Sequence, residues 1–458
     1  MFTDQRGLPV SAANGAAVEA FDRTVAAYLR FGRDTGPRIK ATLEADPDMV
    51  LGHCLKGSFF LLMAMPALVP KAVQELETAQ ARAGAATWRE QTHVAALAAW
   101  CAGDTAGAIR AWEAILLDHP RDIVALKLAQ FHHFYSGDAL HLRDCAARVL
   151  PAWDAAVPGY GYVLGMRAFG LEEAGDHAAA ERAGREAVEA DPQDAWAVHA
   201  VAHVMEMQDR QREGIAWIGA LEPHWSACNN FRYHLAWHRA LMQLDLGRLD
   251  ETLALYDRDL WDPASDEYLD LCNDASLLLR LEIAGIDVGA RWDALAEKVR
   301  GRIDEHILTF IDLHFMMILA GAGADAEARA MLESVRAHRD SGTQARVLAE
   351  VGLPLCEAML AWRQRDFARA VGLLEPLRYR LYRVGGSHAQ RDVFTQLLID
   401  CAIGAGKLSL ARALLAERVA LRPGNLTGWR RYAGVLERLG DAAGAARAQT
   451  QAAQILNA

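Results

Sequence analysis

The sequence predicts an all-α protein built as an array of paired helices. The chain has 458 residues, more than one globular core usually holds, and an array that grows in one dimension accommodates that length. Hydrophobic residues make up 52% of the chain and charged residues 23%, with only 14 prolines, so a packed core is expected throughout. Gly-Asp dipeptides recur before alanine-rich stretches, and Gly103-Asp104 and Gly137-Asp138 lie 34 residues apart.

Residues 1–45 are predicted to form N-terminal capping helices, because the run from Ala16 to Leu29 has apolar residues at helical spacing. Residues 46–458 are predicted to form one continuous solenoid with no sheet. X-Pro pairs close its helical runs, as proline does just beyond a helix end. These pairs are Asp46-Pro47, His119-Pro120, Asp191-Pro192 and Arg422-Pro423.

Two segments resemble tetratricopeptide repeats. One runs from Pro158 to Asp191, with Glu172-Glu-Ala-Gly-Asp176 at the turn between its helices, and the other runs from Trp429 through Gly440 to Leu456. The resemblance implies a right-handed superhelix in which the first helix of each pair lines the concave face. About eleven to thirteen pairs fit this length, enough to wind round a central cavity.

Three further strings are similar to signature segments of the tetratricopeptide repeat protein 38 family. The resemblance implies a fold and a set of unusual residues but no reaction, because that family has no settled activity. The strings are Val198-His-Ala-Val-Ala-His-Val-Met-Glu-Met207, Asn229-Asn-Phe-Arg-Tyr-His-Leu-Ala-Trp-His-Arg-Ala-Leu241 and Gly385-Gly-Ser-His-Ala-Gln-Arg-Asp-Val-Phe394.

Composition argues against several classes of protein. The net charge of −11 has the wrong sign for a nucleic-acid-binding protein. Seven scattered cysteines without a Cys-x-x-Cys motif favour a reducing compartment. The first residues do not resemble a secretory signal, and the apolar run from Gly57 to Pro70 is shorter than the roughly 20 residues of a membrane span. We therefore expect a cytoplasmic protein with no membrane partner.

Two histidine pairs are the clearest candidates for chemistry. His199, His203 and Glu206 follow i, i+4, i+7 spacing and share one helix face, and His234 and His238 repeat the i, i+4 pair. Three imidazoles and a carboxylate suit zinc, iron or another borderline divalent metal, with a position open for water. The alternative is a polar groove in which the histidines bond one another and nearby amides such as Asn230.

The repeat arithmetic leaves the register of the two pairs open. An offset of 35 residues matches His238 with His203, whereas counting from the turns at Gln208-Asp209 and Gly247-Arg248 gives 39 and matches His238 with His199. The difference of four residues is one helical turn and keeps the same face.

A second candidate begins at Gly385-Gly386. Ser387 is a good N-cap residue, and His388, Arg391 and Asp392 then share one helix face. A helix N-terminus beside an arginine suits a carboxylate or phosphate group. The alternative is an ordinary capped helix on a solvent-exposed surface.

Two functions from different classes follow. The first is a small-molecule-binding protein or hydrolase-like enzyme that also binds a divalent metal in an enclosed pocket. The second is a scaffold that binds a peptide or partner protein along the concave face, as many tetratricopeptide proteins do. The sequence does not decide whether a reaction is catalysed. The predicted ligand-binding residues are His199, His203, Glu206, Asn230, Arg232, His234, His238, His388, Arg391 and Asp392.

Overall fold

The computed structural model describes residues 1–338 and 341–457 and confirms the all-α class. The helices of the first half are α1 Gly15–Leu29, α2 Thr35–Ala45, α3 Val50–Leu62, α4 Val69–Ala83, α5 Trp88–Cys101, α6 Thr105–Asp118, α7 Ile123–Tyr135, α8 Ala139–Val149, α9 Tyr160–Glu173, α10 His177–Ala190, α11 Ala195–Met207 and α12 Gln211–Trp225. Those of the second half are α13 Phe231–Asp245, α14 Leu249–Leu255, α15 Tyr268–Ile283, α16 Arg291–Val299, α17 Thr309–Gly321, α18 Asp325–Ala337, α19 Thr343–Val347, α20 Leu353–Arg363, α21 Phe367–Leu374, α22 His388–Gly404, α23 Leu408–Leu421, α24 Leu426–Arg438 and α25 Ala442–Asn457.

Two compact units share these helices. The first comprises Met1–Val201, Leu221–Arg232 and Arg339–Arg346, and the second comprises Ala202–Ala220, Tyr233–His338 and Val347–Ala458. Sequential helices pack as pairs in both units, with α9 on α10 in the first and α24 on α25 in the second. These two pairs are the segments whose sequences resemble tetratricopeptide repeats.

The Gly-Asp dipeptides mark the turn inside a pair, as the sequence predicts. Gly103, Gly137 and Gly175 take φ angles of 73°, 68° and 87°, a left-handed conformation that glycine adopts without a Cβ clash. The following aspartate then caps the next helix. The carboxylate of Asp176, for example, accepts a hydrogen bond from the Ala179 amide at 3.2 Å.

A two-stranded ribbon at the N-terminus departs from the prediction of no sheet. β1 (Phe2–Thr3) pairs antiparallel with β2 (Pro9–Val10). The Asp4 carboxylate accepts the amides of Arg6 and Leu8, both at 2.9 Å, and Gly7 turns the chain at φ 81°. This ribbon depends on side-chain hydrogen bonds at a tight turn, which leave no periodic pattern of apolar residues in the sequence. The search for helical periodicity therefore does not detect it.

Large apolar side chains form the core of each unit. Trp112 and Phe169 are buried in the first, and Trp237 and Phe394 are buried in the second. Burying a large apolar side chain contributes roughly 1.5–3 kcal/mol. Buried imidazoles, carboxylates and guanidinium groups are unusual in such an apolar core, and they identify the candidate sites.

Gly170 of α9 allows a close approach between α9 and α8. A Cβ added at this position would lie 2.7 Å from the Arg143 Cα and 2.7 Å from the Leu142 carbonyl oxygen, both backbone atoms. At Gly161 of the same helix, an added Cβ would meet its nearest neighbour, the Ala190 Cβ, at an ordinary 3.7 Å.

Gly170→Ala is therefore expected to lower the free energy of unfolding by about 1–3 kcal/mol, because α8 must move away to admit the methyl group. Gly161→Ala is the matched control and should leave stability unchanged or raise it by up to about 1 kcal/mol through helix propensity. Urea denaturation followed by circular dichroism measures both. Equal stabilities for the two variants would refute the close approach.

Candidate functional site

The second unit brings three of the predicted histidines together. His203 lies on α11, and His234 and His238 lie on α13. All three are buried, with exposed fractions of 0%, 4% and 0%. The rings of His203 and His238 are in contact, with centroids 4.3 Å apart. The contact therefore follows the 35-residue offset, one of the two registers that the sequence allowed.

Each imidazole of α13 is held through its Nδ1 atom. The Nδ1 atom of His238 lies 2.8 Å from an oxygen of Glu206, and the Nδ1 atom of His234 lies 3.0 Å from the Oδ1 atom of Asn273 on α15. With Glu206 ionised and Asn273 presenting its oxygen, both Nδ1 atoms donate a proton. Each Nε2 atom then carries a lone pair. These two Nε2 atoms face each other at 3.3 Å.

Burial controls the protonation of this cluster. Desolvation, followed by the neighbouring imidazoles, holds the pKa of His234 and of His238 well below the usual value. Both rings are therefore neutral at neutral pH. Desolvation raises the pKa of the Glu206 carboxyl, while Arg422, His203 and Arg280 oppose that rise.

The spacing of the nitrogen atoms fits a metal ion. One nitrogen from each of His203, His234 and His238 lies within 4.8 Å of the others. In tetrahedral coordination with metal–nitrogen distances of 2.0–2.1 Å, two ligand nitrogens are about 3.3–3.4 Å apart. The Nε2 atoms of His234 and His238 already have this separation. Hydrogen bonds from the second ring nitrogen to Glu206 and Asn273 are the usual support for metal-binding histidines.

His199 precedes His203 by one turn on α11, and the boundary between the units falls between them. In the first unit its ring packs against Phe169, Trp196 and Phe231, with centroid distances of 5.3, 5.0 and 5.3 Å. Asn230 and Arg232 also belong to the first unit and are half-buried. Their predicted roles as ligand-binding residues stay predictions.

The predicted cap at the start of α22 is present. The Ser387 hydroxyl accepts the Gln390 amide at 3.2 Å, and the Gln390 side chain accepts the Ser387 amide at 2.9 Å. His388 is exposed and Arg391 donates to the Gly386 carbonyl. The part of these residues in ligand binding stays a prediction.

Asp392 forms an ion pair with Arg418 at 2.6 Å. Burial favours the protonated form of Asp392, but Arg418 outweighs that effect and holds the pKa of the carboxyl well below its usual value. The ionised carboxylate is thus already paired within the second unit.

Sequence reasoning missed Arg280 on α15, which connects the histidines to the start of α22. Its guanidinium lies 5.6 Å from the centroid of the Trp237 ring, and that ring stacks on His234 at 5.3 Å. It donates to the carbonyls of Ser276 at 3.0 Å and Ala389 at 2.6 Å. In the part of the chain that the structure describes, no carboxylate lies within ion-pair distance of it. Burial lowers the pKa of Arg280 to about 10.

Arg422 contacts the C-terminal end of α11, where Glu206 lies. It donates to the Glu206 carbonyl at 2.8 Å and contacts the carboxylates of Asp209 at 3.2 Å and Asp245 at 2.7 Å. Asp209 has a φ of 57°, the conformation that Gly103, Gly137 and Gly175 take in their turns, and also accepts the Gly424 amide at 2.7 Å. One partly buried cation thus stabilises two turns and the end of α11.

No protein-family profile matches the chain. Among solved structures, the chain is similar to a human IFIT1 dimer with PPP-AAAA, at 11% identity and a TM-score of 0.43 over 97% of this chain and 96% of that one. It is also similar to the TPR domain of P58(IPK), at 13% identity and a TM-score of 0.22 over 80% and 93% of the two chains. Among the described residues, no helix has both the length and the apolar character needed to cross a bilayer.

Arg422→Met is expected to lower the free energy of unfolding by about 1–3 kcal/mol, because it leaves the partly buried carboxylates of Asp209 and Asp245 without their cation. The control is Arg329→Met, since Arg329 is exposed and lies 3.8 Å from Asp325 on the same helix. That substitution should change stability by no more than about 0.5 kcal/mol. Chemical denaturation compares the two, and a small loss for Arg422→Met would contradict the bridging role.

Proposed function

We propose that this protein is a member of the tetratricopeptide repeat protein 38 family that binds a divalent metal and a small molecule in its second unit. The observation that carries the proposal is the pair of Nε2 atoms of His234 and His238, facing each other at 3.3 Å with both Nδ1 atoms held. The two Nε2 atoms contact each other in the structure, and a cation bound between them would replace that contact with two coordination bonds.

The proposed ligands are His203, His234 and His238. Glu206 and Asn273 act as the supporting shell and fix the ring orientation. Nitrogen donors favour zinc, copper, nickel or iron over magnesium and calcium, which prefer oxygen. The neutral state of the imidazoles suits metal binding, because no proton has to leave first.

The hydrolytic part of the proposal requires an open coordination position. A zinc ion held by three histidines keeps one position for water and lowers the pKa of that water to about 7. His199 is one of the five residues that the sequence predicts as metal ligands, together with His203, Glu206, His234 and His238. Coordination by His199 would close the site and make the metal structural.

We assign Arg280 to the small molecule. Its buried guanidinium donates to two backbone carbonyls, which leave its positive charge unbalanced at close range. Planar guanidinium groups bind carboxylates and phosphates through paired hydrogen bonds. The proposed ligand is therefore a small molecule with an anionic group.

The alternative function is a scaffold that binds a peptide along the first helices of the pairs. Metal content separates the two functions, since a scaffold needs no ion at the histidines. A cytoplasmic location is part of the proposal and is supported by seven free cysteines, six of them buried.

Untagged protein is expected to retain or take up about one equivalent of zinc or cobalt per chain. His238→Gln and His234→Gln should lose that metal, while the control His224→Gln, at an exposed position, should keep it. Elemental analysis and cobalt absorption spectra provide the measurements, and circular dichroism checks the fold of each variant. Wild-type protein that is folded and still binds none of zinc, cobalt or nickel would refute the site.

Loss of metal in His199→Gln would establish a four-histidine site and exclude the hydrolytic part of the proposal. Retention of metal in that variant, with a cobalt spectrum that responds to added ligands, would support the open site.

Inorganic phosphate is expected to shift the spectrum of the cobalt-loaded protein. Arg280→Gln should weaken this phosphate affinity by roughly tenfold or more, because charged hydrogen bonds each contribute about 1.5–3 kcal/mol. Arg329→Gln serves as the control, since it removes an exposed arginine. Equal phosphate affinity in the wild-type protein and Arg280→Gln would refute the assignment of Arg280 while leaving the metal site intact.

A further inference from the structure

A buried lysine lies among aromatic rings in the first unit, apart from the proposed metal ligands. Lys127 is on α7, in the apolar run Ile123-Val-Ala-Leu-Lys-Leu-Ala129, and only 8% of it is exposed. Its Nζ atom lies 4.2 Å from the centroid of the Trp196 ring and 4.9 Å from that of the Phe31 ring. The aliphatic stem is thus buried and the amine sits in an aromatic pocket.

The amine lacks the partners that a buried ammonium usually has. Within residues 1–338 and 341–457, the structure shows no hydrogen bond or ion pair for the Lys127 Nζ atom, and aromatic faces supply its contacts. Desolvation lowers the pKa of Lys127, with Asp194 opposing that change. A neutral amine is the form that attacks carbon.

Asp194 supplies a carboxyl group beside this pocket. Its Oδ1 atom accepts the amides of Trp196 and Ala197, both at 3.1 Å, and so caps α11. Its Oδ2 atom is buried and has no hydrogen-bond partner among the described residues. This oxygen faces Gly165 of α9, where an added Cβ would lie only 2.9 Å away. Desolvation raises the pKa of this carboxyl, so it holds a proton more readily than an exposed aspartate.

Phe31, one of the aromatic residues around the Lys127 amine, has a strained backbone conformation. Phe31 is a bulky residue at a φ of 58°, a conformation that costs of order 1–3 kcal/mol and is concentrated at functional sites. Its carbonyl accepts the Asn229 amide at 2.7 Å, and its ring stacks on Phe231 at 4.3 Å. The Nε1 atom of Trp196 is a second buried polar atom without a hydrogen-bond partner among the described residues. A structural pocket would be expected to satisfy these groups.

We propose that Lys127 is a nucleophile that forms an imine with an aldehyde or ketone, with Asp194 as the proton donor. The Nζ lone pair attacks the carbonyl carbon, and one Nζ proton passes to the carbonyl oxygen to give a carbinolamine. Proton transfer from Asp194 to the hydroxyl group lets it leave as water while the C=N bond forms. The nitrogen then returns its remaining proton to the Asp194 carboxylate, so one amine and one carbonyl yield one imine and one water. The aromatic walls favour carbonyl compounds with an apolar body.

The test uses the full-length protein, benzaldehyde and sodium cyanoborohydride, which delivers hydride to the imine carbon and leaves a stable secondary amine. The chain has six lysines, so peptide mass mapping assigns each adduct. At neutral pH, Lys127 should be labelled at least about tenfold faster than the exposed Lys40, since each unit of lowered pKa raises the neutral fraction about tenfold. Asp194→Asn also removes the charge that raises the Lys127 pKa, so the two proteins are compared per neutral amine, taken from the pH profile of labelling. On that basis Asp194→Asn should slow labelling of Lys127 several-fold and leave Lys40 unchanged.

Lys127→Arg keeps the positive charge and should abolish this fast labelling. A thermal melt confirms that each variant is folded. Labelling of Lys127 that is no faster than that of Lys40 in the folded protein would overturn the proposal, and so would labelling that appears only after denaturation. Either outcome would identify Lys127 as a structural cation packed on aromatic rings. Equal labelling of Lys127 per neutral amine in Asp194→Asn and in the wild-type protein would remove Asp194 from the mechanism.

Discussion

The left-handed residue in the turn of each helix pair is the constraint on which the other elements depend. It reverses the chain within a few residues, and the side chain that follows can cap the next helix, so it sets where that helix begins and which face it buries. Glycine occupies this position at Gly103, Gly137 and Gly175. After α11 the residue is Asp209, which adopts the same conformation at a steric cost. Its carboxylate recovers part of that cost by bonding Arg422 and the Gly424 amide. The turn that orients α11, and with it His203 and Glu206, is therefore also the one tied to distant charged residues.

The two candidate sites use burial in different ways. At the histidines, burial keeps the imidazoles neutral, and hydrogen bonds to Glu206 and Asn273 orient them. The rings are therefore already ordered in the folded protein, before any ligand binds. At Lys127, burial is combined with aromatic faces in place of oxygen acceptors, and the amine is destabilised in its charged form. The first arrangement would suit the proposed coordination site, and the second would suit the proposed nucleophile.

Most of the helical fold can be predicted from the sequence because its signals are local. Gly-Asp turns, proline at helix ends and the Ser387 cap all act within four residues. The i, i+4 histidine pairs are local as well, and so their shared faces are predictable. Asn273 and Arg280 lie 39 and 109 positions from their partners His234 and Ala389, and no local pattern identifies them as partners. Lys127 looks like an ordinary polar interruption in an apolar helix, since its aromatic neighbours come from residues 31 and 196. Contacts between distant segments require the folded structure.

The hydrogen bond from Arg280 to the Ala389 carbonyl joins the interior of the second unit to its surface. Ala389 belongs to the first turn of α22, and its neighbour His388 is exposed to solvent. An anion bound at the guanidinium, as we propose, would compete with that carbonyl and loosen the first turn of the helix. The presence of a buried ligand would then be transmitted to an outward-facing side chain through a single hydrogen bond. A spectroscopic label near His388 would act as a reporter of occupancy, and a partner that recognises this surface would sense the state of the interior.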